Sequence, residues 1–236
     1  MKYVKKSDGT LISSECDTVK ITENTLKKLL DTTKSTINFF LNYTGTNIDG
    51  LIRFSDTENV ITMRNMFYYS TNLITPTLFD TSKVTNMYSM FGSCINLKSI
   101  PQYNTSNVTD MNGIFSNCRS LSSVPLLNMS KVADLTNAFN DCRVLTLIPE
   151  FNVINCTNFK NTFYNCIKLK SVLMKNIMAS LDLSAPTQFE RANLVTVLNN
   201  LGTPTTTQTL TIGSTNLAKL TEEDIAIATQ KNWTLK

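Results

Sequence analysis

The sequence has no histidine and few charged side chains. Charged residues make up 17% of its 236 residues, and the net charge is +4. The lack of histidine excludes Ser-His-Asp triads, Cys-His pairs and histidine-ligated zinc. Basic residues never occur more than two in a row, whereas nucleic-acid-binding surfaces cluster Lys and Arg between aromatic residues. We therefore expect no nucleic-acid partner.

Long hydrophobic stretches are also missing. The chain begins MKYVKKSDGTLISSE, with lysines but without the ~7–15 apolar residues of a secretory signal. No segment approaches the ~18 apolar residues that span a bilayer, and the final NWTLK has no lipidation signature. We expect a protein that does not enter the membrane and is not exported by the usual route. A chain trimmed of its signal would read the same way.

A 24-residue repeat occupies the middle of the chain. Five copies follow one another, and the same residue types return at the same place in each. The copies are residues 56–79, 80–103, 104–127, 128–151 and 152–175. Four of the columns are Phe67, Phe91, Phe115, Phe139 and Phe163; Leu73, Leu97, Leu121, Leu145 and Leu169; Ser70, Cys94, Cys118, Cys142 and Cys166; and Val60, Val84, Val108, Val132 and Cys156. Repeats of this length indicate stacked units that share one core.

Each repeat predicts a short helix followed by a strand. In the second repeat, Val84, Met87 and Phe91 are spaced by three and four residues, which is one face of a helix. Leu97 and Ile100 then flank a short extended stretch. Stacking the repeats would align these stretches as a parallel sheet with strands ~4.8 Å apart.

The cysteine column predicts buried, reduced thiols. Tetrahedral zinc needs four ligands that converge on one point, and four thiols in a row, one per repeat, do not converge. Stacked side chains also point in parallel, which is unsuitable for a disulfide. We expect Cys94, Cys118, Cys142 and Cys166 to fill a turn beneath the sheet, and we expect no metal.

Two segments carry a family resemblance. TSKVTNMYSMFGSCINL at 81–97 and TSNVTDMNGIFSNCRSL at 105–121 resemble the BspA-type leucine-rich repeat of bacterial surface proteins and mycoplasma lipoproteins. The resemblance covers about half of the chain, with Ser70 and Cys156 as departures from the motif. It implies an α/β leucine-rich-repeat solenoid of about five 24-residue helix–strand coils, used for binding and without catalytic residues or cofactors.

Both ends read as caps of the solenoid. Residues 1–55 form an N-terminal cap, residues 56–176 the repeats, and residues 177–236 a C-terminal helix-strand cap. We expect a hairpin turn at 7–10 (SDGT), a helix from Thr22, and a degenerate coil that contains Phe39, Phe40 and Tyr43.

The C-terminal cap predicts two helices and two strands. Ser184 is the candidate N-cap of a helix with Pro186 in its first turn and Gly202 at its end. Leu194, Val197, Leu198 and Leu201 form its apolar face. A strand follows at 209–212, a helix begins at 221, and residues 233–235 form a last strand. We expect Trp233 to cover the end of the core.

Paired carboxylates are the remaining catalytic option. Asp110 and Asp134 share a column, with Asn86 and Asn158 on either side, so they would lie close together on adjacent helices. A solvated helix face explains this column better, because it lies between core positions. No P-loop, dinucleotide-binding or EF-hand string occurs. We expect no enzyme and no cofactor.

The concave sheet is the place where a ligand would bind. Its outward side chains are small, rich in hydroxyl groups and without aromatic residues, and Tyr103 is the one aromatic residue nearby. The expected binding residues are Ile74, Thr75, Lys98, Ser99, Ser122, Ser123, Thr146, Leu147, Lys170 and Ser171. A pure spacer without a ligand is the alternative.

The end of the chain suggests a viral particle. TLTIGSTNLAKLTEEDIAIATQKNWTL resembles closing repeats of bacteriophage-encoded and surface proteins of low-GC Gram-positive bacteria. We expect a phage virion or tail-like-particle protein that contacts a host surface. A bacterial cell-surface or secreted adhesin and a cytoplasmic protein-interaction scaffold are the alternatives. The expected partners are other virion proteins and a protein or cell-surface glycan, and a homo-oligomer is compatible with the sequence.

Overall fold

A computed structural model describes residues 3–5, 11–13, 33–46 and 54–236 of the protein. Near the N-terminus, β1 (Tyr3–Lys5) pairs antiparallel with β2 (Leu11–Ser13). That pairing suits a hairpin, although the predicted turn at 7–10 lies outside the described residues. The predicted helix from Thr22 lies outside them as well. A short 3₁₀ helix at Phe54–Thr57 overlaps the start of the first repeat.

The predicted helix in each repeat is wrong: the chain forms successive β-turns there. In the second repeat the Met90 N–H donates to the Met87 carbonyl at 3.1 Å, and the Cys94 N–H donates to the Phe91 carbonyl at 3.1 Å. Ser89 and Ser93, the third residues of these turns, have φ of +47° and +61°, as type II turns require. Positive φ returns at both places in every repeat, at Asn65, Tyr69, Ser89, Ser93, Gly113, Asn117, Asn137, Asp141, Asn161 and Asn165.

The turns prevail because they free backbone groups to bond to the neighbouring repeat. The N–H groups of Met87, Ser89 and Phe91 donate to carbonyls of the third repeat at 2.9, 2.9 and 3.0 Å. An α-helix would use the same groups internally, from each residue to the fourth before it. Successive turns also bury every third or fourth residue, so their hydrophobic spacing imitates that of a helix.

Two backbone ladders connect the repeats. One runs through isolated parallel bridges that join Thr62, Asn86, Asp110, Asp134 and Asn158 in turn. The other ladder joins the predicted extended stretches of successive repeats. Only the stretches of the fourth and fifth repeats are strands, β3 (Leu147–Ile148) and β4 (Ser171–Val172), which pair in parallel.

A column of phenylalanine rings lies in the core. Successive ring centroids from Phe67 to Phe163 are 5.5, 5.9, 5.5 and 5.7 Å apart. Phe40 extends the column, because its ring stacks on Phe67 at 5.2 Å. The Phe40 N–H also donates to the Met66 carbonyl at 2.7 Å. The degenerate coil is therefore offset from the first repeat by 27 residues, whereas successive repeats are offset by 24.

The C-terminal segment forms helices and a second sheet. β5 (Leu181–Asp182), β6 (Gln208–Thr211) and β7 (Trp233–Leu235) pair in parallel in that order. The helices are α1 (Arg191–Asn200), α2 (Ser214–Leu217) and α3 (Glu222–Thr229). The strands predicted at 209–212 and 233–235 and the helix predicted from 221 are thus confirmed, with shifts of one residue.

The predicted start of α1 is wrong. Its N-cap is Glu190, not Ser184. The Ser184 N–H donates to the Asp182 carboxylate at 2.8 Å, and the carbonyl of Pro186 accepts from the side chain of Asn216 at 2.7 Å. These bonds hold the segment in a non-helical path before the helix begins. The predicted apolar face is buried, and Trp233, 2% exposed, donates from Nε1 to the Gly202 carbonyl at 2.9 Å.

Candidate binding surface

The ten predicted binding residues lie in adjacent rows on one side of the repeats. Backbone hydrogen bonds set the first row, since the Lys98 N–H donates to the Ile74 carbonyl at 2.9 Å and the Ser122 N–H donates to the Lys98 carbonyl at 3.2 Å. Seven of the ten residues are exposed, whereas Ile74, Ser99 and Ser171 are half-buried. Whether this surface binds a ligand stays a prediction.

The chemistry of these rows is mild. Lys98 and Lys170 are exposed and supply two positive charges, and Leu147 is 43% exposed. A groove of about 320 Å³ lies at one end of the rows, between Ile74, Lys98 and the neighbouring amides of Asn72 and Asn96. Both amides already donate to backbone carbonyls, at 2.9 Å each. The groove therefore offers hydroxyl groups and one ammonium group, and no charged pair.

Tyr103 is not available to stack on a sugar. It is 3% exposed, its ring stacks on Phe79 at 6.0 Å, and its hydroxyl donates to the Thr77 carbonyl at 2.8 Å. Burial raises the pKa of this phenol well above its ordinary range. The sequence expectation that Tyr103 lies beside the binding face is wrong, because its column, shared with Phe79 and Phe151, faces the core.

The carboxylates of Asp110 and Asp134 belong to the backbone ladder and not to adjacent helices. Asp110 accepts from the Asn86 amide at 3.0 Å, and Asp134 accepts from the Asn158 amide at 3.4 Å. Their other oxygens accept from the N–H two residues later, at 3.0 and 2.7 Å. Side chains that close turns in this way stabilise the local backbone, which accounts for the column without catalysis.

The cysteine thiols form a column of side chain–backbone hydrogen bonds. Each donates to the carbonyl of the phenylalanine 27 residues earlier, at 3.0 to 3.2 Å. Ser70 makes the equivalent bond to Phe40 at 2.7 Å, so a short polar donor is what this position requires. Burial raises the pKa of Cys94 and Cys166 to about 12. The prediction that the four thiols are buried is confirmed.

Sequence reasoning missed a buried charge at Asp141. Its carboxylate accepts from Arg119 at 2.7 Å, from Arg143 at 2.8 Å and from the amide of Asn165. Burial alone would raise the pKa of Asp141, but these donors outweigh it and lower the pKa below its ordinary value. The available signal was that Arg119 and Arg143 share one column of the repeat, two positions after the column of Asp141.

The described part of the chain shows no metal-binding cluster of the usual kinds. Among these residues, no group of three or more Cys, Asp or Glu side chains is arranged to hold a metal ion. No helix there is both long and apolar enough to span a bilayer.

Comparison with known proteins supports the repeat architecture. The family described as "Mycoplasma protein of unknown function, DUF285" matches residues 34–148 and again 98–193. The crystal structure of a leucine-rich repeat protein from T. pallidum superposes with a TM-score of 0.52 at 15% sequence identity, covering 81% of this chain and 83% of that one. No curated protein matches the sequence. The leucine-rich repeat fold is therefore shown.

Proposed function

Because the chain belongs to the DUF285 family of mycoplasma proteins, we propose that it is a non-enzymatic repeat protein that binds another macromolecule through the side of its repeats. The observation that carries the proposal is the stacking of equivalent residues in rows, with Lys98, Ser122 and Thr146 exposed one repeat apart. Rows of equivalent groups suit a partner that presents its own repeated features, since many weak contacts add to a useful affinity.

The architecture that serves this function is one solenoid. We propose about five 24-residue coils between caps at residues 1–55 and 177–236. The matched structure supports this proposal, because a leucine-rich repeat protein covers most of the chain. The continuous phenylalanine column supports it as well.

Charge reversal on the rows tests the binding surface. The double variant Lys98→Glu/Lys170→Glu should lower binding to intact host cells or particles at least about tenfold, since it replaces two exposed cations at the proposed contact. The matched control is Lys83→Glu/Lys131→Glu, with the same change of net charge at another position around the repeat, where the ammonium groups bond to Asn59 and Asn107 at 2.8 Å. Equal binding by the two double variants contradicts the proposed surface.

For the biological setting we propose a phage virion or tail-like particle. The resemblance of the closing segment to phage-encoded proteins supports this choice. Quantitative mass spectrometry of purified particles should find the protein at a fixed copy number. A bacterial surface adhesin instead predicts labelling of the protein on intact cells and its absence from particles. A cytoplasmic scaffold predicts absence from particles without labelling on intact cells.

A further inference from the structure

The backbone ladder between repeats stops after the fifth repeat. In the fourth repeat, alternate N–H groups donate to carbonyls of the fifth. These bonds are Leu135 to Asn158 at 2.9 Å, Asn137 to Lys160 at 2.9 Å, Phe139 to Thr162 at 3.0 Å and Asp141 to Tyr164 at 2.8 Å. In the fifth repeat the equivalent N–H groups belong to Phe159, Asn161, Phe163 and Asn165. Within the described residues, none of these four donates to a protein acceptor.

The next segment does not continue the ladder. Asp182 follows Asn158 by 24 residues and repeats its turn, because its carboxylate accepts from the N–H two residues later, as the Asn158 side chain does. The ladder would therefore continue from Asn158 to Asp182. However, the described bridges through this column end at Asn158, and the described pairing of Leu181 and Asp182 is with β6 alone.

The two backbones separate on one side only. On the opposite side the fifth repeat stays joined to the C-terminal segment, since the side-chain amide of Asn200 donates to the Leu173 carbonyl at 3.4 Å. The result is a cleft of about 450 Å³. Residues 157–161 form one wall, residues 179–182 form the other, and Gln208, Thr209 and Thr211 of β6 complete the lining.

The walls of the cleft are rich in donors. Phe159 is 3% exposed, and buried N–H groups without an acceptor are rare in folded proteins. The lining side chains are mostly hydroxyl and amide groups, with Lys160 on one wall and Asp182 on the other. A ligand that supplies oxygen acceptors at alternate positions and carries little net charge fits these walls.

The protein itself shows what such a ligand looks like. Each repeat from the second to the fifth presents its carbonyl oxygens to the alternate N–H groups of the repeat before it. A partner segment in the same turn conformation presents the same pattern, and main-chain pairing with an open backbone edge is an established mode of peptide recognition. The volume of the cleft also lies in the range of ligand-binding sites, about 300–1,000 Å³.

We propose that this cleft binds a main-chain segment of a partner protein in the turn conformation of the repeats, whose carbonyl oxygens accept hydrogen bonds from the N–H groups of Phe159 and Asn161. The inference deepens the proposed binding function by naming the partner as a peptide segment, and it assigns this partner to a site separate from the row of Lys98. Recognition rests on the main chain of the peptide, so side chains of the partner contribute less than its conformation.

Hydrogen exchange tests the inference with a defined probe. The probe is a blocked synthetic peptide that copies residues 153–165 with Cys156 replaced by Ser, because this segment already presents such carbonyls to the fourth repeat. In the free protein the amides of Phe159 and Asn161 should exchange faster than those of Leu135 and Asn137. Peptide at about ten times its Kd should slow Phe159 and Asn161 about tenfold, and leave Leu135 and Asn137 unchanged.

A matched pair of variants locates the probe. Thr157 and Thr109 are exposed in the same column, and each hydroxyl donates only to the carbonyl of the preceding repeat. Thr157→Trp fills the cleft and should abolish the slowing, whereas Thr109→Trp should preserve it. Slow exchange of Phe159 and Asn161 in the free protein, no slowing by the peptide, or equal behaviour of the two variants overturns the inference.

The outcome is separable from that of the proposed function. If the peptide fails to bind while Lys98→Glu/Lys170→Glu still lowers binding to cells or particles, the cleft inference is wrong and the proposed surface stands. If the peptide binds and the charge reversal has no effect, the cleft stands and the row of Lys98 is not the contact.

Discussion

Phe115 lies in the middle of the phenylalanine column, with the rings of Phe91 and Phe139 at 5.9 and 5.5 Å. Because it is fully buried, Phe115→Ala should lower the free energy of unfolding by about 3–5 kcal/mol. Urea denaturation measures the loss. Ser122→Ala, on the exposed side of the same repeat, is the control and should change stability by no more than about 0.5 kcal/mol. Equal effects of the two changes would show that the columns do not share one core.

The thiols of Cys94, Cys118, Cys142 and Cys166 should react slowly in the native protein. Burial raises the pKa of Cys94 and Cys166 to about 12, so that at pH 8 only about one thiol in 10⁴ is ionised. Alkylation followed by peptide mass spectrometry should find these four positions unlabelled before unfolding and fully labelled in urea. Rapid native labelling, or disulfides among the four, would contradict the column of thiol-to-carbonyl bonds.

At the scale of the element, a turn and a helix predict opposite effects of an alanine substitution on stability. Asn117 is the third residue of the turn closed by the bond from the Cys118 N–H to the Phe115 carbonyl, and its φ is +60°. Asn117→Ala should cost about 1–2 kcal/mol, because alanine tolerates this conformation poorly. Asn117→Gly should stay within about 0.5 kcal/mol of the parent.

Thermal unfolding of the Asn117 pair decides between turn and helix. In a helix the order would reverse, since alanine is the best helix former and glycine among the worst. Ser116, its neighbour in the chain, has no positive φ, so Ser116→Ala serves as the control and should change stability little. An Asn117→Ala protein that is more stable than Asn117→Gly would contradict the turn assignment.

The Asp141 cluster should make the protein sensitive to acid. Arg143, Arg119 and Asn165 hold the folded pKa of Asp141 below its ordinary value of 3.8. The stabilisation is therefore present above that value and is lost as the pH falls through the folded pKa. Urea midpoints at about pH 5 and about pH 2.5 should differ less in Asp141→Asn than in the parent. The control Glu150→Gln, at an exposed ion pair, should keep the difference seen in the parent.

At the scale of the whole molecule, repeats that contact only their neighbours should couple over short distances. The Phe115→Ala/Phe139→Ala double variant should depart from additivity by at least about 0.5 kcal/mol, because the two rings are in contact. Phe67→Ala/Phe163→Ala, with three repeats between the sites, should be additive within about 0.5 kcal/mol. A double-mutant cycle in urea measures both. Strong coupling in the distant pair would contradict nearest-neighbour stacking.

Much of the core was predictable from the equivalent positions of the 24-residue repeat. Phe91, Leu97 and Cys94 are buried where the 24-residue period placed them, because a repeated environment demands the same side chain at each step. The exposed rows at Lys98 and Ser122 follow from the same register. The expectation for Tyr103 was wrong because a tyrosine two residues after a proline resembles a surface residue in the sequence. In the structure its hydroxyl donates to a backbone carbonyl inside the protein.

The sequence by itself determined the period, the core columns and the repeat family, since each of these depends on side-chain type at regular intervals. Only the tertiary structure decided between helix and turns, because both bury every third or fourth residue and differ in where the backbone N–H groups bond. The acceptors for Met87 and Ser89 lie in another repeat. The open edge at Phe159 and Asn161 was hidden for the same reason: Asp182 keeps the local turn of the column, and only the backbone pairing shows that it joins β6 without a bridge to Asn158.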